Sequence, residues 1–171
     1  MNQSNSPTFR GSILIVDDSQ NNLSLLDRIL SKRGYKVRVA SSGKFALEAV
    51  ELAQPDLILL DIMMPDMDGY EVCSRLKAEE RTRGIPVIFL SALVEVADKV
   101  KGFSVGGVDY ITKPFEPTEV VARVENQLRM RELELHSGKK IQCCVAKSPI
   151  GNKQKLRLDC CWKQQNFKKN K

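Results

Sequence analysis

The stretch Leu57-Ile58-Leu59-Leu60-Asp61 is the most apolar run in the chain, and it ends abruptly on a carboxylate. Four aliphatic residues without polar alternation fit a strand covered on both faces, as in the middle of a parallel sheet. The same unit recurs on either side of it. Ile13-Leu14-Ile15-Val16 runs into Asp17-Asp18, and Val87-Ile88-Phe89-Leu90, opened by Pro86, runs into Ser91. Tyr35 to Ala40 alternates, so it reads as a less buried strand near a sheet edge, and a short strand around Tyr110-Ile111 leads to Lys113-Pro114.

Helical patterns separate these runs. Asn21 to Arg33 carries Leu23, Leu26, Ile29 and Leu30 at helical spacing and stops at Gly34. Ser41-Ser42-Gly43 caps a second helix, with Ala46, Leu47, Ala49, Val50 and Ala53 facing inward and Pro55 as its stop. Further helices are expected over Tyr70 to Ala78, over Val94 to Val105, and from Pro117-Thr118 onward. Five strand-then-helix units predict an α/β fold, a doubly wound five-stranded parallel sheet with helices on both faces and right-handed crossovers. Such sheets bind ligands at the carboxyl ends of their strands, near the point where strand order reverses.

The net charge of +6 is unevenly placed. Residues 137–171 hold ten Lys or Arg and one Asp, a net of +9, so residues 1–136 are left with a net of −3. That break divides the chain into a polar extension (1–11), a domain (12–136) with an extended last helix, and a basic tail (137–171) expected to be disordered on composition. It also argues against nucleic-acid binding by the domain itself. No apolar run approaches the ~20 residues that cross a bilayer, and no signal-peptide core opens the chain, so a cytoplasmic protein without membrane contact is expected.

The polar strand ends carry the chemistry. Asp17, Asp18 and Asp61 would converge at one edge of the sheet, where a hard divalent cation such as Mg²⁺ relieves their repulsion. Lys113 then supplies a point charge and Ser91 a hydroxyl for an anion. A carboxylate beside Mg²⁺, a lysine and a hydroxyl can attack phosphorus. In the loop Met63 to Gly69, Asp66 and Asp68 are assigned to turn formation and Gly69 to a positive φ. Cys73 reads as a small buried helix residue.

With Asp17-Asp18, Asp61, the loop Met64-Pro65-Asp66-Met67-Asp68-Gly69, Ser91-Ala92, Tyr110 and Lys113-Pro114-Phe115 in these places, residues 12–135 resemble the receiver domain of bacterial two-component response regulators. The resemblance implies a flavodoxin-like strand order 2-1-3-4-5 and a non-enzymatic phosphorelay component. Asp61 would be the phosphoacceptor, charged by a histidine kinase or phosphotransfer protein. Asp18, Asp61 and the Met63 carbonyl would contact Mg²⁺, with Asp17 acting through water. Ser91 and Lys113 would bind the phosphoryl group, Ser91 and Tyr110 would form a switch pair, and the Lys113-Pro114 bond would be cis.

Two other functions compete. A Mg²⁺-dependent phosphatase of similar fold needs an acid two residues after its aspartate nucleophile, where Met63 stands here. A pseudo-receiver acting only as an interaction module would not need the intact acidic cluster and Lys113. Val121, Leu128 and Leu135, seven apart, hint at a coiled-coil seam and a homodimer through the last helix. In the tail, the adjacent pairs Cys143-Cys144 and Cys160-Cys161 fit poorly with the Cys-x₂-Cys spacing of zinc sites. Polyanion binding by the tail lysines is weighed against a solvated extension.

Overall fold

Successive residues of a strand point to opposite faces of the sheet, so a strand that is apolar throughout needs cover on both sides. The computed structural model describes the backbone of residues 10–92 and 102–145, and side chains as far as residue 136. The described residues form five strands, β1 (Ser12–Val16), β2 (Lys36–Ala40), β3 (Leu57–Asp61), β4 (Val87–Ser91) and β5 (Asp109–Thr112). Between and after them come helices α1 (Gln20–Ser31), α2 (Gly43–Leu52), α3 (Gly69–Ala78) and α4 (Pro117–Val145). The sheet order is β2-β1-β3-β4-β5, with every neighbouring pair parallel. The helix expected over 94–105 falls mostly on residues 93–101, outside the described residues, and Gly102 to Ser104 are helical.

The core has two layers, as the alternation requires. Leu14, Val16, Ile58, Leu60, Val87 and Phe89 face the side of α2 and α3, where Val50, Val72 and Leu76 cover them. Ile13, Ile15, Leu57, Leu59, Ile88 and Leu90 face the other side, under Leu23, Leu26 and Leu30 of α1 and Val120 and Val124 of α4. Every residue of β3 is buried, and each such aliphatic side chain contributes about 1.5–3 kcal/mol by leaving water. At the sheet edge β2 keeps only Ala40 buried, in line with its alternating sequence.

Three details differ from the sequence reading. Helix α2 ends at Leu52, three residues before its stop at Pro55: Ala53 is already extended, and the Arg38 guanidinium donates to the carbonyls of Ala49 (2.9 Å) and Ala53 (2.5 Å). Ala53 is therefore exposed, not inward. Helix α4 passes residue 137 and runs to Val145, so the compositional break does not coincide with the end of the helix. By its contacts the chain divides into two units, Met1–Leu133 and Glu134–Lys171. The heptad residues are not a free seam either. Val121 is buried and Leu128 packs on the core under α1, which leaves Leu135 as the exposed member of the three. Residues 1–9 and the cysteines at 160 and 161 lie outside the described residues.

Candidate functional site

Strand order reverses between β1 and β3, and the acidic residues gather at their carboxyl ends. Asp17 follows β1 directly and Asp61 is the last residue of β3, whose register pairs Val16 with Leu60. Asp17, Asp18 and Asp61 each present a carboxylate oxygen within 4.8 Å of the others. Asp17 is fully buried and Asp61 only 3 % exposed, whereas Asp18 is exposed.

Lys113 arrives from beyond β5 and bridges the two buried carboxylates. Its Nζ lies 2.9 Å from Asp17 Oδ2 and 2.9 Å from Asp61 Oδ2. The Lys113-Pro114 bond is cis, as the resemblance implies, and the Lys113 backbone N–H donates to the Ser91 carbonyl (2.8 Å). That bond ties the fifth strand's exit to the fourth strand's end. The ammonium also stands 5.9 Å from the centre of the Phe115 ring, within cation–π range.

The electrostatics favour a further cation. Two like charges at this separation repel by roughly 3–4 kcal/mol at an effective dielectric of about 20, and the ammonium pairs with two of the three carboxylates. Burial pushes the Asp61 carboxyl above its ordinary value, aided by the Asp17 charge, and the Lys113 hydrogen bond offsets only part of the rise. Burial pulls Lys113 down, but its bonds to Asp61 and Asp17 win, and its pKa is raised. The donors at hand are all oxygen, and this set suits Mg²⁺ rather than zinc.

Of the other expected residues, Met63 donates its backbone N–H to Asp61 Oδ1 (3.4 Å) and is 69 % exposed. Ser91 ends β4 and is buried, one residue past Leu90, the register partner of Asp61. Tyr110 is buried on β5 with its ring 5.4 Å from that of Phe89 and 5.4 Å from that of Phe103. Its hydroxyl lies so close to Gly102 that a Cβ there would sit 1.7 Å from it.

Two features escaped the sequence reading. Asn22, on the first turn of α1, places its Nδ2 3.0 Å from both oxygens of Asp17, and the Ser19 N–H donates to Asp17 Oδ1 at 2.9 Å. The loop after Asp61 also works differently from expectation. Gly69 does not have a positive φ; Asp66 does, at 68°. Gly69 is there for space, because a Cβ on it would lie 2.2 Å from the Asp61 carbonyl oxygen.

A profile of the response regulator receiver domain matches residues 13–125. The DNA-binding dual master transcriptional regulator RpaA of Synechocystis is 48% identical over 118 residues, which cover 68% of this chain and 48% of RpaA. The alkaline phosphatase synthesis transcriptional regulatory protein PhoP of Bacillus subtilis is 46% identical over 121 residues, 71% of this chain and 50% of PhoP. The chain thus spans about half the length of these curated relatives. Among solved structures, the signal receiver domain of a histidine kinase from Syntrophus aciditrophicus superposes with a TM-score of 0.65 at 39% identity, covering 70% of this chain and 90% of that one.

Proposed function

The chain belongs to the response regulator receiver domain family, and from that premise we propose that Asp61 is the phosphoacceptor of a two-component phosphorelay. A histidine kinase or phosphotransfer protein is the donor, and transfer changes which partners the domain binds. The observation that carries this reading is the pairing of buried Asp61 with Lys113 (2.9 Å) inside a trio of carboxylates at the switch point of the sheet. An Asp61 oxygen attacks phosphorus, the bond from phosphorus to the donor nitrogen breaks, and the imidazole leaves. Asp18, Asp61 and the Met63 carbonyl would hold Mg²⁺, with Asp17 acting through water. When bound, that ion supplies charge neutralisation to the transferring phosphoryl oxygens. Ser91 and Lys113 bind the transferred group, and Ser91 and Tyr110 relay its arrival. The direct test is incubation with acetyl phosphate, with Mg²⁺ or with EDTA. One hydroxylamine-labile phosphate at Asp61, formed only with Mg²⁺, is expected; no uptake would leave an interaction module instead.

Lys113→Ala should retain Mg²⁺ binding, because an ammonium is no metal ligand and its removal deletes a positive charge from the site. What it loses is the ion pair with the new phosphoryl oxygens, about 1.5–3 kcal/mol for a charge-assisted hydrogen bond. Calorimetric titration with MgCl₂ checks the first half, and amide spectra before and after acetyl phosphate check the second. Loss of Mg²⁺ binding would show that the roles are wrongly divided.

The acyl phosphate should be long-lived. Its hydrolysis needs a water held in line, and the positions two after Asp61 and two after Ser91 are Met63 and Leu93, both apolar. Met63 is exposed, and Leu93 lies outside the described residues. A polar pair there could speed hydrolysis by up to ~10²-fold. Decay of labelled protein is therefore expected to be faster in Met63→Asn, Leu93→Glu; equal or slower decay would remove these positions as determinants.

A further inference from the structure

Asp17 is the only member of the acidic trio with no exposure at all. A buried carboxylate has to be met by protein donors, because bulk water cannot solvate it. Three donors do this. The Ser19 N–H takes Oδ1, Lys113 Nζ takes Oδ2, and the Asn22 amide nitrogen sits 3.0 Å from each oxygen. Ser19 does not cap α1 with its own side chain, and no acidic residue stands in the first turn of that helix. The start of α1 is thus fastened to Asp17 rather than to a cap of its own.

The donors differ in constancy. Lys113 is shared between Asp17 and Asp61, and a phosphoryl group on Asp61 would draw it away. The Ser19 amide grips Oδ1 and makes no bond to Oδ2. Asn22 spans both oxygens from a helix whose next turns are locked into the core by Leu23, Leu26 and Leu30. Together with the Ser19 N–H it holds the carboxylate whatever Lys113 is doing, and it is the donor that stays on Oδ2 when Lys113 moves away.

We infer that Asn22 is a positioning residue for the cation site, acting through Asp17. It holds the Asp17 carboxylate in the orientation that serves Mg²⁺, and it keeps that orientation when Lys113 changes partner. This rests on reading Asp17, Asp18 and Asp61 as the Mg²⁺ site. Partners that orient a metal-site carboxylate typically contribute 10–100-fold to metal affinity.

The test is titration of the full chain with MgCl₂ by calorimetry, together with melting curves in EDTA and in a fixed excess of MgCl₂. Asn22→Leu removes the donors at similar volume, and Asn22→Ala serves if the leucine is not accommodated. The dissociation constant is expected to rise about tenfold or more. The gain in melting temperature that Mg²⁺ confers should shrink accordingly, since that gain follows the ratio of ligand to Kd. If both melting curves fall together while the Mg²⁺ gain and the Kd are unchanged, Asn22 is a structural hydrogen bond only. Tighter Mg²⁺ binding would also overturn the proposal, because Asn22 would then be competing with the ion. A wild-type chain that binds no Mg²⁺ would remove the cation site itself, and the proposal with it.

Discussion

Replacing Asp61 with Asn is expected to abolish uptake of phosphate from acetyl phosphate while leaving the fold intact. The amide is close to isosteric with the carboxylate, so the packing at the end of β3 is kept. It is not a nucleophile toward phosphorus, and loss of the attacking group typically costs far more than 10²-fold. The stability side also has a sign. Burial raises the Asp61 pKa above its ordinary value. Its contribution is therefore fully present below the unfolded-state pKa and is lost as pH rises through the folded one. At neutral pH the ionised form burdens the fold, and Asn removes that burden along with the repulsion from Asp17. The carboxamide oxygen can still accept from Lys113, which also keeps Asp17. A melting temperature at pH 7 equal to or above that of the wild type, with no acid-labile phosphate, is the expected result. Native-level hydroxylamine-labile phosphate in the variant would place the phosphoacceptor elsewhere, and collapse of the fold would show that the charge is structural.

The strand ends were readable because burial makes a sharp sequence signal. After Ser12 at the start of β1, each inner strand is apolar until its last residue or the one after it, so Asp17, Asp61 and Ser91 stand out as polar breaks in runs that must be covered on both faces. Lys113 was readable by the same logic after the short fifth strand. Asn22 was not. On an amphipathic helix it is one more polar residue, and its pairing with Asp17 depends on how α1 docks rather than on spacing. Arg38 is a similar case. In a strand pattern it is an outward polar residue, yet it satisfies the end of α2 by donating to carbonyls 11 and 15 positions away. The heptad in α4 misled for a related reason. A spacing of seven is two helical turns, which serves a sheet as well as a second helix, and the chain's own core takes Val121 and Leu128. Composition placed a boundary at residue 137, but charge does not interrupt a helix, and α4 continues to Val145.

The loop between β3 and α3 offers the sharpest contrast between the two readings, because they predict opposite outcomes for the same substitutions. If Gly69 were needed for a positive φ, Asn would serve nearly as well as Gly, being the residue that best tolerates that region. The structure instead makes Gly69 a point of contact. A Cβ would lie 2.2 Å from the Asp61 carbonyl oxygen and 3.0 Å from both the Asp61 carbonyl carbon and Ile62 Cα. The helix cannot back away easily. The Gly69 N–H donates to the Ile62 carbonyl (3.0 Å), and the preceding Asp68 caps α3 by accepting from the Glu71 N–H (2.7 Å). Relief has to come from the end of β3, which carries the phosphoacceptor. Gly69→Ala and Gly69→Asn should therefore fail alike. Overpacking of this kind costs about 1–3 kcal/mol or more, a fall in melting temperature of at least ~4 °C. A displacement of Asp61 by even ~1 Å could slow phosphoryl transfer by ~10²-fold. Asp66, whose φ is 68°, should behave in the opposite way, with Asp66→Gly tolerated because glycine adopts that conformation without a Cβ penalty. Melting curves and acetyl phosphate uptake for the three variants decide the matter. A Gly69→Asn protein as stable and as readily phosphorylated as the wild type would show that backbone conformation, not the approach of α3 to Asp61, is what the glycine provides.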